Sequence, residues 1–202
     1  MDNPHDISLL EQREFLLGQP VVILTGNEFA RKEGATLTQQ VSEYYNSIGN
    51  KAISPVYGDI ILDKKGVDDD FAHGVGRIKA IAFAAIPQVI ERGIVILPFG
   101  KYKSGENVVS AMIAAPVRIA EKEYVCVVVL RKRQEITKLY VHEVTLKEKL
   151  LADSSNPTQR LAARQGVISN ALTSSSNPTQ RLAAHQGDIA KILSKIISAK
   201  SD

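Results

Sequence analysis

Tryptophan is absent from the 202 residues, methionine occurs twice and cysteine once. The single cysteine, Cys126, excludes a disulfide framework or a thiolate metal cluster within one chain. It falls inside the apolar run 124–130, where a thiol reads as core packing or, alternatively, as a nucleophile. No apolar run approaches the roughly 18 residues that a membrane helix needs, so no membrane span is expected. The opening residues Asp2, Asn3, Pro4, His5 and Asp6 lack the basic and apolar stretches of a secretory signal, so the expected location is cytoplasmic, in a producing or a target cell. A P-loop, a dinucleotide glycine fingerprint after a strand, HExxH and GxSxG are all missing, and Gly74-Val75-Gly76 is a lone GxG. Neither a metal nor a cofactor is expected.

What remains is ordinary for a globular protein: 44% hydrophobic and 23% charged residues, with room for one core plus extensions. The net charge of +3 is small. The stretch 130–149 nevertheless gathers Lys and Arg, which permits a phosphate-bearing partner.

Hydrophobic spacing predicts a short helix over 7–17, stopped by Gly18 and Pro20, and a strand over 21–24 followed by a turn. A helical turn is expected at 27–31. Thr36 is placed to cap a helix over 37–48, and a strand over 58–62 follows Pro55. Residues 77–91 carry a helical stripe, Ile78, Ile81, Ala82, Ala85 and Val89, which Pro87 kinks or breaks. From 94 onward the period changes to that of strands. The runs 94–97, 108–119, 124–131 and 139–146 predict a four-stranded antiparallel sheet of consecutive hairpins.

The tail holds two near-identical copies, SSNPTQRLAARQG at 154–166 and SSNPTQRLAAHQG at 175–187, which differ only at Arg164 and His185. Two copies are fewer than a solenoid needs. They read as a linker or docking segment, followed by an amphipathic helix over 188–197 capped by Asp188. The expected division is an N-terminal helical extension at 1–19, a main domain at 20–150, the repeat linker at 151–187 and the final helix at 188–202.

Of four histidines, His73 and His142 fall in ordered-looking parts of the chain. His73 precedes a predicted helix whose first turn holds Arg77 and Lys79, a setting for a phosphate or for a capping histidine beside a solvated face. Period-two alternation puts Lys138, Tyr140 and His142 on one face of the last strand, with Leu139, Val141 and Glu143 on the other. Tyr140 and His142 then either project into a groove or pack at an edge. Metal-independent RNA cleavage by 2′-hydroxyl attack asks for a base, an acid and a cation, and the two histidines with Lys or Arg supply such a set.

The segments LTGNEF (24–29), QVSEYYNSIGNKA (40–52), GDIILDKKGV (58–67), AHGVGRIKAIAFAAIPQVIERG (72–93), AAPVRI (114–119) and YVHEV (140–144) resemble one family. This is the phage-associated barnase/EndoU/colicin/RelE-like, or BECR-fold, nuclease domain of phage polyvalent proteins and MuF C-terminal regions. The resemblance covers about 20–146. It implies an α+β fold, with N-terminal helices packed on a four-stranded antiparallel sheet, and an RNA-cleaving site. The catalytic residues it implies are His73, Lys79, Tyr140 and His142; substrate contacts would come from Arg77, Lys103, Ser104 and Lys138. Where the family carries a basic aromatic loop ending in an Arg, Gly, Tyr run, this chain has Lys101, Tyr102, Lys103, Ser104, Gly105, Glu106 and Asn107.

The function so implied is a metal-independent endoribonuclease of toxin or effector type. Its partners would be RNA, tRNA among the candidates, and an immunity or antitoxin protein. Two alternatives stand beside it: a catalytically inactive module that binds RNA or protein, and a nucleotide-dependent transferase such as an ADP-ribosyltransferase.

Overall fold

The computed structural model describes residues 7–30, 32–62, 67–68, 77–101, 109–132, 139–149 and 178–199. Among them are five helices and seven strands. In chain order these are α1 (Leu9–Leu17), β1 (Val22–Leu24), α2 (Leu37–Ser47), β2 (Lys51–Ser54), β3 (Gly58–Ile61), α3 (Arg77–Ala82), α4 (Ile86–Arg92), β4 (Ile94–Lys101), β5 (Val109–Ile119), β6 (Lys122–Lys132), β7 (Leu139–Glu148) and α5 (Pro178–Ile197).

Two helices start on reciprocal capping boxes, which satisfy backbone N–H groups that have no partner within the helix. Ser8 accepts from the Glu11 amide at 3.2 Å while Glu11 accepts from the Ser8 amide at 2.8 Å. Thr36 and Gln39 repeat the arrangement at the start of α2, at 3.2 and 2.7 Å. Pro87 breaks the stripe rather than kinking it. The helical path stops at Ala82 and resumes at Ile86, with the proline in the first turn of α4, where its missing N–H costs little.

The class is α+β, but the sheet is larger than the four-stranded antiparallel one that the pattern predicts. β4 to β7 do run as consecutive antiparallel neighbours, and three further strands join them. β1 pairs parallel with the end of β5, β3 pairs parallel with β7, and β2 pairs antiparallel with β3. Short strands of three or four residues carry too little periodicity to announce such pairings, and β2 is not foreseen at all.

The sheet curls. Tyr57, in the turn between β2 and β3, meets Phe99 of β4 edge to face at 4.9 Å between ring centroids, although their strands belong to opposite sides of the sheet. Inside the curl lie α3 and α4. Ile81, Ala82, Phe83, Ile86, Val89 and Ile90 pack there on Ala111, Ile113, Val128, Leu130, Val141 and Val144. Each such side chain, almost wholly removed from water, contributes about 1.5–3 kcal/mol when large and apolar. Tyr45 of α2 closes this inner core by donating to the Phe83 carbonyl at 3.2 Å.

The outer face has its own apolar cluster. Leu16 of α1 and Ile189, Leu193 and Ile196 of α5 cover Ile96, Met112, Ala114, Val125, Val127 and Val129. Arg13 ties the two helices by donating from Nε to the Ile197 carbonyl at 3.0 Å. α5 is longer than its apolar spacing predicts. It begins at Pro178, so Asp188 stands within the helix instead of capping it, and ten residues of the second repeat copy are helical. The first copy lies outside the described residues.

Candidate functional site at one end of the outer face

Leu130 and Leu139 face the inner core, so their strand neighbours Arg131 and Tyr140 face outward. Ser110 of β5 pairs with Arg131 of β6, and Arg131 pairs with Tyr140 of β7. Side chains so paired have their Cβ atoms roughly 5 Å apart. A polar row therefore crosses three strands, next to the apolar patch that α1 and α5 cover.

The next row holds Met112, Val129 and Glu143. Between the pairs Leu130–Val141 and Val129–Glu143, β7 has one residue more than β6, and that residue is His142. Such a bulge re-aims side chains. The His142 ring lies 6.4 Å from the Tyr140 ring at an interplanar angle of 83°, so both occupy the outer face. Glu143 follows them there: it pairs with outward-facing Val129, and the Thr145 hydroxyl donates to its Oε1 at 3.4 Å. Simple alternation had placed Glu143 with Leu139 and Val141, and the bulge overturns that assignment. Glu143 and Ser110 are each 2% exposed, whereas Arg131, Tyr140 and His142 are half-buried.

Of the expected site residues, Tyr140 and His142 thus come together. Arg77 and Lys79 stand on α3, which packs inside the curl through Ile81 and Ala82, so the two groups belong to opposite faces of β7. His73, Lys103, Ser104 and Lys138 lie outside the described residues. The sequence reading missed Arg131, Glu143 and Ser110. A signal for Glu143 existed in the three-residue step from Val141 to Val144, both inner-core residues, which period two does not allow.

Among the described residues no group of three or more His, Cys, Asp or Glu is placed to hold a metal ion. No helix among them is long and apolar enough to cross a membrane.

Residues 32–140, more than half of the chain, match the family described as large polyvalent protein-associated domain 3. The chain belongs to this family. The expected kinship with a domain of phage polyvalent proteins holds at that level. No curated protein and no solved structure matches the chain. The matched span of the polyvalent-protein domain runs from the approach to α2 through Tyr140, so α1, β1, His142, Glu143 and α5 lie beyond it.

Proposed function

We propose that this polyvalent-protein domain is a metal-independent endoribonuclease of the BECR kind, working at the polar end of the outer face. The observation that carries the reading is the β7 bulge, which sets the His142 imidazole beside the Tyr140 phenol, whose residue pairs with Arg131 of β6. RNA cleavage without a metal needs two proton carriers and a cation for the phosphate, held within reach of one another.

His142 takes the proton of the ribose 2′-hydroxyl as its oxygen attacks the adjacent phosphorus. The bond to the 5′-oxygen breaks, and that oxygen takes its proton from the Tyr140 hydroxyl. Arg131 meets the charge on the equatorial phosphate oxygens, a role the sequence reading gave to Arg77 and Lys79. The products are a 2′,3′-cyclic phosphate and a 5′-hydroxyl.

The test is incubation of purified protein with total RNA in the presence of a chelator, followed by mapping of the cut ends. Cleavage with cyclic phosphate ends is expected, and His142→Ala lowers it by about 10²- to 10⁴-fold, the usual worth of a general acid or base. The partly exposed ring leaves the unfolding midpoint nearly unchanged. RNA that is bound but not cut overturns the reading in favour of a binding module.

A further inference from the structure

We infer that Glu143 is the positioning residue of this site, a buried carboxylate that sets the charge state of the His142 imidazole and the placement of the Arg131 guanidinium. The inference rests on the ribonuclease reading only for its consequence in catalysis; the electrostatic relation stands on the geometry alone.

At 2% exposure the Glu143 carboxylate is out of reach of a polynucleotide, so it acts through its neighbours. The bulge puts it next to His142 in the chain and on the same face of β7, one row from Arg131. Its other described neighbours on that face carry no cation: Val129 opposite, Met112 and Ser110 on β5, and Tyr140 and Thr145 on β7. From α5 the outer cluster receives Ile189, Leu193 and Ile196, and beside them the half-buried Asp188, a carboxylate and not a cation, lies 3.7 Å from Lys191. Farther along the sheet, Lys149 is committed elsewhere, donating to the Gly18 carbonyl at 2.8 Å and to Glu123 at 3.4 Å.

An ionised carboxylate taken out of water is costly unless a positive group faces it. Among the described residues of this end of the face Arg131 is the permanent cation, one row away, and His142 is the group that can become one. The carboxylate therefore favours the protonated imidazole and holds the guanidinium flat against the sheet. An alternating strand could not do this, because Glu143 would then face the inner core. The extra residue in β7 brings proton carrier, cation and counter-charge to one side.

The test is proton NMR titration of the full chain, with the other three histidines as internal references. In Glu143→Gln the His142 midpoint is expected to move to lower pH, and in Arg131→Gln to higher pH, while the references stay in place. Should Glu143→Gln fail to fold, Glu143→Asp keeps the charge but withdraws it by one methylene, and Arg131→Gln reads the same field from the other side. A His142 midpoint that moves in none of the folded variants overturns the inference. Where the wild-type chain cleaves RNA, Glu143→Gln lowers kcat by about 10- to 100-fold, as loss of an outer partner does for other working histidines, with KM unchanged. Shifted titrations in a chain that leaves RNA intact uphold the inference and overturn the ribonuclease reading.

Discussion

On its inner face the sheet offers Ala111, Ile113, Ala115, Val117, Val128, Leu130, Val141 and Val144 to a pair of short helices held in the chain between β3 and β4. The outer face offers Met112, Ala114, Val125, Val127 and Val129 to α1 and α5, and then passes into Ser110, Arg131, Tyr140, His142 and Glu143. The helices inside the curl cannot leave without unfolding the sheet around them. Those outside cover only its apolar part. The larger apolar core and the candidate polar site thus lie on opposite sides of the same strands, and substitutions on the two sides should behave differently.

The largest loss of stability is expected inside. Phe83 is 1% exposed at the break between α3 and α4, and Phe83→Ala should cost about 3–5 kcal/mol, the range for a buried aromatic truncated to alanine. Chemical denaturation should show one transition, displaced as a whole. A loss under about 1 kcal/mol would mean that the inner helices are not the centre of the fold.

The inner side is also the side that the sequence announces. Thr36, Pro87 and Gly93 mark helix boundaries through local chemistry, and the long strands β4 to β7 repeat apolar residues over enough positions to be read. β2, with Ile53 more than half exposed, has too few residues for a pattern, whereas β1 and β3 are legible as short strands but not in their pairing. Their places depend on partners more than 60 residues away, Val117 to Ile119 for β1 and Leu139 to Tyr140 for β3. At the candidate site Tyr140 and His142 are legible as a pair. Arg131 and Glu143 are not, because a bulge is a property of two strands in register and a single strand does not spell it.

A smaller effect is expected outside. Leu193 is 1% exposed in the α5 contact, and Leu193→Ala should cost about 2 kcal/mol, at the low end for a buried leucine. A helix docked on one face of the sheet caps its own contribution, since once it undocks nothing more is lost. Hydrogen exchange or limited proteolysis should show α5 opening ahead of the global transition. Should α5 and the inner core instead open together, the division drawn between the two faces is wrong.

Gly93 joins the two sides, at the passage from α4 to β4. A methyl group there would collide with the Val89 carbonyl and press on the Ile113 side chain and the Ala114 carbonyl. Gly93→Ala is therefore expected to cost about 1–3 kcal/mol through overpacking. Because its backbone is extended rather than left-handed, the penalty is one of space. Because the crowding atoms are two backbone carbonyls and the Ile113 Cγ2 methyl, which valine would keep, the double variant with Ile113→Val should recover little of it.

The smallest effect concerns how α1 is anchored to the far end of the sheet. Arg118 donates to Glu123 at 2.7 Å, and Lys149 bridges Glu123 at 3.4 Å and the Gly18 carbonyl at the end of α1. The hydrogen bond from Arg118 does most to hold the Glu123 carboxyl below its ordinary value of 4.5; partial burial opposes it, and Lys149 adds to the lowering. A carboxyl depressed on folding stabilises the native state above its unfolded value, and that contribution fades as pH falls below 4.5 through the folded one. With a quarter of the Glu123 side chain exposed, it should amount to about 1 kcal/mol or less at neutral pH. The urea midpoints of the wild-type chain and Glu123→Gln should therefore differ above about pH 5 and converge in stronger acid. Glu11 and Glu28, also held low, titrate in both chains and cancel from the difference. A gap that persists unchanged into acid would mean that Lys149 holds Gly18 without help from the carboxylate, and that the outer helices are anchored by packing alone.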